Sequence, residues 1–201
     1  MSCLAVIPAK PPSEAKLRLS AALPAEARER LVRAMLDHVL ATAVDELGAA
    51  AVLVVGGRDI GLPPGIRRLE DRGDGLNPAL QAVLDRPGKP TPSRLVVIHG
   101  DLPRLTRAEV RRLAEVAPGT IGIAPDRHGT GTNALSLPLP SARRFGFSFG
   151  VGSCARHLAE ADRLGLPVEV LVSDGLGCDI DEPADLADIG QLADNLMSKA
   201  G

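Results

Sequence analysis

Short apolar runs alternate along the chain with longer segments in which apolar residues recur every three to four positions. The runs at 51–55 and 94–98 are continuous, which is typical of strands buried on both faces of a parallel sheet. Segment 24–47 has a clear helical period. With the caps Thr106 and Ser153 included, the predicted strands are 5–7, 51–55, 66–69, 94–98, 121–124, 134–137 and 168–172, and the predicted helices are 24–47, 78–85, 106–117, 153–164 and 182–196.

This alternation of strands and helices predicts an α/β fold. We expect a single Rossmann-like domain over residues 1–201, with a mostly parallel, doubly wound sheet and a loose tail at about 197–201. Ligands of such sheets bind beyond the carboxyl ends of the strands. Candidate functional residues are therefore sought in the loops that follow the strands.

Composition narrows the class of protein. The chain has 201 residues, 45% of them hydrophobic and 24% charged, which indicates one globular domain. A net charge of −2 argues against a nucleic-acid-binding surface, and no apolar run is long enough for a membrane span, so we expect a cytoplasmic protein. Three cysteines without paired spacing indicate neither disulfides nor zinc. The aromatic residues are three phenylalanines within five positions, Phe145, Phe147 and Phe149. They either fill a gap in the core or line the wall of a pocket.

Three aspartates stand at positions where Mg²⁺ could bind. Asp101 follows strand 94–98 and precedes a sharp turn, while Asp179 and Asp181 share one face if the chain there is extended, with Ile180 turned toward the core. Mg²⁺ prefers a few carboxylates together with phosphate oxygens. Two alternatives stay open, namely a solvated turn residue at Asp101 and helix capping by the pair.

The loop after the first strand is strongly basic. Lys10, Lys16 and Arg18 suit a triphosphate and the charge that develops on a leaving pyrophosphate, although a solvated loop surface is the alternative. The sequence contains neither the GxxxxGK[ST] motif of P-loop NTPases nor a Gly-x-Gly-x-x-Gly after the first strand. Both of these familiar nucleotide sites are therefore disfavoured.

Two glycine-containing segments are further candidates for binding anions. Residues 129–133 join two predicted strands and offer hydroxyls, an amide and free backbone N–H groups. Residues 149–153 precede a predicted helix, whose N-terminus favours a carboxylate or phosphate. Ser153 is either part of that site or a plain helix cap.

Six motifs taken in order resemble one known family, the 2-phospho-L-lactate guanylyltransferases (CofC, and FbiD where phosphoenolpyruvate is the acceptor) of coenzyme F-420 biosynthesis. The resemblance extends over nearly the whole chain. The motifs that carry it are Val6–Lys10 with Ala15–Leu19, Gly75–Asn77, Gly100–Pro103, Asp126–Leu135, Phe147–His157 and Asp179–Leu186.

The resemblance implies a fold of the nucleotide-diphospho-sugar transferase type, similar to glycosyltransferase A, with helices on both faces of the sheet. It also implies GTP as co-substrate and transfer of GMP to the phosphate of a small phosphorylated carboxylic acid, with release of pyrophosphate. By the same resemblance Asp101, Asp179 and Asp181 bind Mg²⁺, and Lys10, Lys16 and Arg18 handle the triphosphate. The implied nucleotide-binding residues are Gly75, Leu76 and Asn77, and the implied substrate-binding residues are Gly129, Thr130, Gly131, Thr132, Asn133, Gly150, Gly152 and Ser153.

Several points stay open at this stage. The acceptor is 2-phospho-L-lactate, phosphoenolpyruvate or 3-phosphoglycerate, and the resemblance leaves open whether the chain forms a homodimer. A molybdenum-cofactor-type nucleotidyltransferase of the same fold is an alternative, but residues 8–20 lack the glycines of its first loop. A non-catalytic nucleotide-binding module is the other. Two departures from the family, extra proline at 11–14 and Glu182 in place of threonine, remove no catalytic group.

Overall fold

One mixed sheet runs through the molecule. The computed structural model describes residues 2–71, 73–88, 91–187 and 189. In these residues the sheet has seven strands in the order β3-β2-β1-β4-β6-β5-β7. Every neighbouring pair is parallel except the two that include β6. The strands are β1 (Cys3–Pro8), β2 (Val52–Gly56), β3 (Arg67–Glu70), β4 (Arg94–Ile98), β5 (Ile121–Pro125), β6 (Thr132–Pro138) and β7 (Val168–Val170).

Helices cover both faces of the sheet. The helices are α1 (Ala25–Leu47), α2 (Leu76–Asp85), α3 (Arg107–Ala114), α4 (Ser153–Arg163) and α5 (Asp174–Gly177), with 3₁₀ turns at Pro12–Glu14, Leu17–Ala21 and Ala49–Ala51. Along β1 the side chains of Ala5 and Ile7 join one apolar cluster, which α1 and α3 cover, whereas Leu4 and Val6 join a second cluster, which α2 and α4 cover. No helix in the described part of the chain is long and apolar enough to cross a membrane.

The antiparallel strand β6 places its first residues at the functional edge of the sheet. Ile98, the last residue of β4, is paired with Ala134, and the N–H of His99 donates to the carbonyl oxygen of Asn133 at 2.9 Å. Because β6 is antiparallel to its neighbour β4, its start lies beside the carboxyl end of β4, at the same edge of the sheet as the carboxyl end of β1. Residues from three strands therefore meet at one edge.

The predicted elements are present, with changes at some of their ends. The capping box of Thr106 and Glu109 is confirmed. Helix α3 ends at Ala114 and not at 117, and beyond its end the carbonyl oxygens of Val116 and Ala117 accept hydrogen bonds from the buried Arg94 guanidinium, at 2.8 and 2.9 Å.

Several further ends differ from the predicted positions by one or two residues. The last strand ends at Val170 and not at 172, shortly before Ser173 caps α5. Residues 183–187 of the predicted final helix are helical. Position 188, positions 190–196 and the predicted tail at 197–201 lie outside the described residues.

Candidate active site

A lysine and two aspartates from distant parts of the chain meet at the carboxyl edge of the sheet. The Lys16 ammonium forms ion pairs with Asp101 and with Asp181. Lys16 lies in the loop after β1 and Asp101 in the loop after β4, and these two strands are parallel neighbours. The pairing of the strands therefore brings these two charges together.

The backbone of Lys16 has an unusual conformation. Its φ of 52° lies in the left-handed region, the only such value at a non-glycine position in the described residues. Side chains rarely adopt this region, and such conformations are concentrated at functional sites. Only 12% of the Lys16 side chain is exposed. The loop therefore presents one charged side chain inward at a local energetic cost.

The ion pairs set the charge states of Lys16 and Asp101. Burial by itself lowers the pKa of Lys16, but the charges of Asp101 and Asp181 outweigh it and raise that pKa. Burial by itself raises the pKa of Asp101, but Lys16 and His99 outweigh it and lower that pKa. Both groups are therefore charged at neutral pH.

Asp179, the third predicted carboxylate, lies next to this pair and is held by an amide. The Asn133 Nδ2 donates to Asp179 Oδ1 at 3.1 Å and to the carbonyl oxygen of Leu176 at 2.9 Å. Burial raises the pKa of Asp179, and the negative charges of Asp101 and Asp181 add to that rise. A cation placed among these carboxylates would relieve the repulsion.

A small apolar cluster joins the basic loop to the acidic segment. Leu19 and Ile180 are fully buried and pack with Leu31 and Met35 of α1. The prediction that Ile180 turns toward the core is therefore confirmed. Because Ile180 is anchored, the aspartates on either side of it are held at the edge of the sheet.

Arg127 makes a second connection to the acidic segment. Its guanidinium donates to the carbonyl oxygen of Asp179 at 2.9 Å and forms an ion pair with Asp185 at 3.4 Å. The other Asp185 oxygen accepts the backbone N–H groups of Asp181 and Glu182, at 2.8 and 2.7 Å. Arg127 thus helps to fix the backbone between the two predicted metal ligands.

The carboxylates suit a hard cation, although they do not form a complete ligand set in this structure. Within the described residues, no three His, Cys, Asp or Glu side chains are arranged as a metal site. Asp101 Oδ1 is nevertheless buried without a hydrogen-bond partner, and the Lys16 ammonium supplies positive charge to Asp101 and Asp181. Carboxylate oxygens are the ligands that Mg²⁺ prefers. The assignment of Asp101, Asp179 and Asp181 to a metal stays a prediction.

The other two basic residues of the loop lie farther out. Arg18 is 71% exposed, and its guanidinium lies 3.6 Å from Glu182 Oε1. Lys10 is exposed at the start of the loop. Of the three predicted cations, Lys16 is the one that contacts the carboxylates.

The loop at 129–133 is hydrogen-bonded within itself, which corrects one expectation. The N–H groups of Thr130 and Gly131 donate to the Asp126 carboxylate, both at 2.8 Å, and the N–H of Gly129 donates to the Asp126 carbonyl oxygen at 3.0 Å. The prediction of free backbone N–H groups in this loop is therefore wrong at these three positions. Burial raises the pKa of Asp126, but these backbone donors outweigh it and lower that pKa.

The second glycine segment, which we call the glycine loop (residues 148–153), leads into α4. The helix cap is Gly152, with φ 68°, and Ser153 is the first helical residue and is 2% exposed. The prediction that Ser153 caps the helix is therefore wrong, because Gly152 holds the N-cap position and Ser153 follows it inside the helix. Its place in a binding site stays a prediction.

The predicted nucleotide segment contacts the glycine loop. Gly75, with φ 94°, caps α2, and Leu76 packs against the second apolar cluster. The Asn77 side chain accepts the N–H of Phe149 at 2.8 Å and donates to the Phe149 carbonyl oxygen at 3.2 Å. The segments predicted to bind nucleotide and substrate are thus in direct contact.

The three phenylalanines belong to the core, which settles the choice that the sequence left open in favour of packing. All are buried in the second apolar cluster. The Phe149 ring lies 5.0 Å from the His99 ring and 4.8 Å from the His157 ring. Because His99 precedes Asp101 by two residues, Phe149 also brings the glycine loop close to the carboxylates.

Sequence reasoning missed the supporting roles of Arg127 and Arg156 and left the role of His157 open. Each makes hydrogen bonds to the backbone of a predicted site segment. Arg156 and His157 follow the predicted start of α4, within one turn of the glycines. That spacing was the one signal in the sequence that could have identified them.

Comparison with solved structures defines the class of protein. The fold matches a protein from Desulfovibrio desulfuricans described as a nucleotide-diphospho-sugar transferase, with a TM-score of 0.69, 14% identity, and coverage of 98% of this chain and 99% of that one. It also matches a Mycobacterium tuberculosis protein crystallised with manganese, with a TM-score of 0.61, 19% identity, and coverage of 95% and 99%. The fold is therefore that of the nucleotide-diphospho-sugar transferases, as expected.

The sequence comparisons define the family within that class. A phosphoenolpyruvate guanylyltransferase from Sphaerobacter thermophilus is 39% identical over 94% of this chain and 93% of its own. A 2-phospho-L-lactate guanylyltransferase from Halorubrum lacusprofundi is 36% identical over 87% and 78%. Residues 3–198 match the family described as guanylyl transferase CofC like. The chain belongs to this family of nucleotidyltransferases.

Proposed function

We propose that this protein transfers GMP from GTP to the phosphate of a small phosphorylated carboxylic acid and releases pyrophosphate. The observation that carries the proposal is the Lys16 contact with Asp101 and Asp181, beside Asp179, at the carboxyl edge of a nucleotidyltransferase fold. Such an edge is where sheets of this kind bind their ligands. The names of the relatives support guanylyl transfer in particular.

The reaction requires positioning and charge neutralisation. An oxygen of the acceptor phosphate attacks the α-phosphorus of GTP, a new P–O bond forms, and the bond to the bridging oxygen breaks as pyrophosphate leaves with that electron pair. The acceptor phosphate is already an anion, so no side-chain nucleophile is needed. Lys16 would bind the triphosphate and neutralise charge on the leaving group, with Lys10 and Arg18 at the outer part of the loop.

A bound Mg²⁺ would neutralise the triphosphate and orient it. The residues that would hold it are Asp101, Asp179 and Asp181, whose oxygen donors suit a hard cation. Asn133 and Arg127 would keep Asp179 in place through the hydrogen bonds described above. The manganese complex of a protein of the same fold is consistent with a divalent metal.

The nucleotide and the acceptor would lie on either side of the contact between α2 and the glycine loop. Gly75, Leu76 and Asn77 would border the nucleotide. The glycine loop, with Gly150, Gly152 and Ser153, would receive the acceptor, together with the loop at 129–133. Among the described residues, the N–H groups of Gly150, Val151 and Gly152 have no hydrogen-bond acceptor, as a site for an anion requires.

We take phosphoenolpyruvate as the first acceptor to test, because the Sphaerobacter relative carries that name, and 2-phospho-L-lactate and 3-phosphoglycerate as the next two. We also propose that the protein acts in coenzyme F-420 biosynthesis and that it is located in the cytoplasm, where GTP is present.

Nucleotide selection tests the proposal. Pyrophosphate release is measured with GTP, ATP, CTP and UTP in turn, each with Mg²⁺ and phosphoenolpyruvate, and each repeated without acceptor. We expect acceptor-dependent release with GTP and at most a small fraction of that rate with the other nucleotides. Release that is fastest with CTP or independent of the acceptor would contradict the proposal.

A further inference from the structure

The glycine loop has no regular secondary structure at its start, yet three side chains hold its backbone. The N–H of Ser148 donates to His157 Nε2 at 3.1 Å, and the carbonyl oxygen of Ser148 accepts from Arg156 Nη2 at 2.8 Å. Both backbone groups of Phe149 bond to Asn77. Side chains of α2 and α4 thus replace the partners that a strand or helix would provide.

The Asn77 contact joins positions that are 72 residues apart in sequence. One amide accepts from the N–H of Phe149 and donates to its carbonyl oxygen, which is the pattern by which two strands pair. Asn77 is in the first turn of α2, directly after Gly75 and Leu76. The start of α2 and the glycine loop are therefore linked by two hydrogen bonds through a single side chain.

His157 fixes the adjacent residue. Because its Nε2 accepts the N–H of Ser148, its proton is assigned to Nδ1, which lies 3.0 Å from the Thr132 hydroxyl oxygen. The side chain is fully buried, and burial followed by the charge of Arg156 lowers its pKa to about 4. His157 is thus a constant acceptor at neutral pH.

The held residues lie directly before the predicted anion site. Gly150 and Gly152 have φ values of 118° and 68°, which a side chain would disfavour. Their N–H groups and that of Val151 follow directly after Phe149. A shift of Phe149 would therefore move all three donors.

On the basis of the function proposed above, we infer that Asn77 is a positioning residue for the acceptor: its amide holds the glycine loop in the conformation that binds the acceptor's anionic groups. This differs from the direct nucleotide contact that the family resemblance implies for Asn77. The Oδ1 and the Nδ2 of Asn77 each already form a hydrogen bond with the backbone of Phe149. Arg156 and His157 support the same loop from α4.

The two roles make different kinetic predictions. If Asn77 positions the acceptor loop, its loss raises the KM for the acceptor and leaves the KM for GTP nearly unchanged. If Asn77 binds nucleotide directly, its loss raises the KM for GTP. Losing two hydrogen bonds of ordinary net strength corresponds to an increase of about tenfold or more in the affected KM.

The experiment compares wild type with Asn77→Leu, which keeps the branched shape of the side chain but loses both hydrogen bonds, and with Asn77→Ala, which loses them without adding bulk. The matched control is Gln81→Ala, one helical turn farther along α2, where the side chain donates a hydrogen bond to Asp85. For each protein, pyrophosphate release gives kcat and the KM for phosphoenolpyruvate at saturating GTP, and the KM for GTP at saturating phosphoenolpyruvate. Isothermal titration with phosphoenolpyruvate in the presence of a non-hydrolysable GTP analogue measures acceptor binding directly.

We expect both Asn77 variants to raise the KM and Kd for phosphoenolpyruvate about tenfold, with the KM for GTP within about twofold of wild type. Gln81→Ala should match wild type. An unchanged acceptor KM, or a rise confined to GTP, would overturn the inference while leaving the proposed function intact. Failure of wild type itself to release pyrophosphate with phosphoenolpyruvate, 2-phospho-L-lactate or 3-phosphoglycerate would instead refute the proposed function. The alanine variant and the binding measurement keep the inference testable if the leucine variant does not fold.

Discussion

Lys16 and Asp101, which are 85 residues apart in sequence, form a largely buried ion pair at the carboxyl edge of the sheet. The pair exists because β1 and β4 are parallel neighbours, so the loops that follow them lie side by side. Asp181, just before the helical residues 183–187, forms the second ion pair with Lys16. This arrangement holds a basic residue against two carboxylates, and the metal–triphosphate complex of the proposed function would have to break these ion pairs in order to bind.

Asp181→Ala tests the role of the acidic segment. The Asp181 side chain is 52% exposed, so its loss should change the free energy of unfolding by at most about 1 kcal/mol. Turnover should fall at least about a thousandfold, because a predicted metal ligand and a Lys16 partner disappear together. Pyrophosphate release and thermal unfolding give the two numbers. Asp162→Ala, an exposed aspartate of α4, is the control; activity in Asp181→Ala close to that of this control would exclude Asp181 as a ligand.

Lys16→Met tests whether Lys16 and the metal neutralise the same carboxylates. Removing one partner of a buried pair leaves Asp101 uncompensated and should destabilise the fold by about 3 kcal/mol. Added Mg²⁺ should raise the Tm of the variant more than that of wild type, since the carboxylates are no longer paired with an ammonium. Differential scanning fluorimetry with and without Mg²⁺ measures both shifts. Equal shifts in the two proteins would mean that Mg²⁺ binds elsewhere.

Arg127→Met tests the connection between Arg127 and the acidic segment. Loss of the hydrogen bond to the Asp179 carbonyl oxygen and of the ion pair with Asp185 should loosen the backbone that carries the predicted metal ligands. We expect the Mg²⁺ concentration for half-maximal activity to rise about tenfold, as for other residues that orient metal ligands. The rate at saturating Mg²⁺ should change much less. An unchanged Mg²⁺ requirement would show that Arg127 has no such role.

The pH dependence of stability tests the state of His157. Burial lowers its pKa from 6.5 to about 4, so the unfolded chain binds more protons than the folded one in that interval. The contribution of His157 to the free energy of unfolding is therefore fully present above about pH 6.5. This contribution, of order 3 kcal/mol, is lost as the pH falls toward 4.

His157→Gln is the matched variant for that measurement. Its amide oxygen can still accept the N–H of Ser148, but it does not titrate. Urea unfolding between pH 4.5 and 7 should show a weaker fall of stability in the variant than in wild type. Some slope will remain, because burial also lowers the pKa of His99. Identical slopes in the two proteins would mean that His157 titrates normally.

Much of the fold follows from local patterns in the sequence. The continuous apolar runs of β2 and β4 and the capping box at Thr106 are local signals, and the structure confirms them. The contacts of Arg94 with the carbonyl oxygens that follow α3 were not predictable, because Arg94 is distant from them in sequence. The Ser153 cap was wrong for a local reason, since the preceding Gly152, in the left-handed conformation, holds the N-cap position.

The site was predictable in its charges but not in its contacts. Lys16 and Asp101 follow strands, and Asp181 belongs to the acidic pair with Asp179. These positions indicated a cluster of charges at one edge of the sheet. The sequence did not show that Asp126 occupies the N–H groups of its own loop or that Asn77 bonds to Phe149. Such contacts depend on tertiary packing between segments that no local spacing connects.

The most direct test of the proposed guanylyl transfer is identification of the product by mass spectrometry. The protein is incubated with GTP, Mg²⁺ and one acid at a time: phosphoenolpyruvate, 2-phospho-L-lactate or 3-phosphoglycerate. Asp181→Ala is treated in the same way and serves as the inactive control. We predict a guanylylated diphosphate of one of these acids, formed in step with pyrophosphate and absent from the control. Formation of no such product with any of the three acids, together with nucleotide transfer to a different kind of acceptor, would contradict the account.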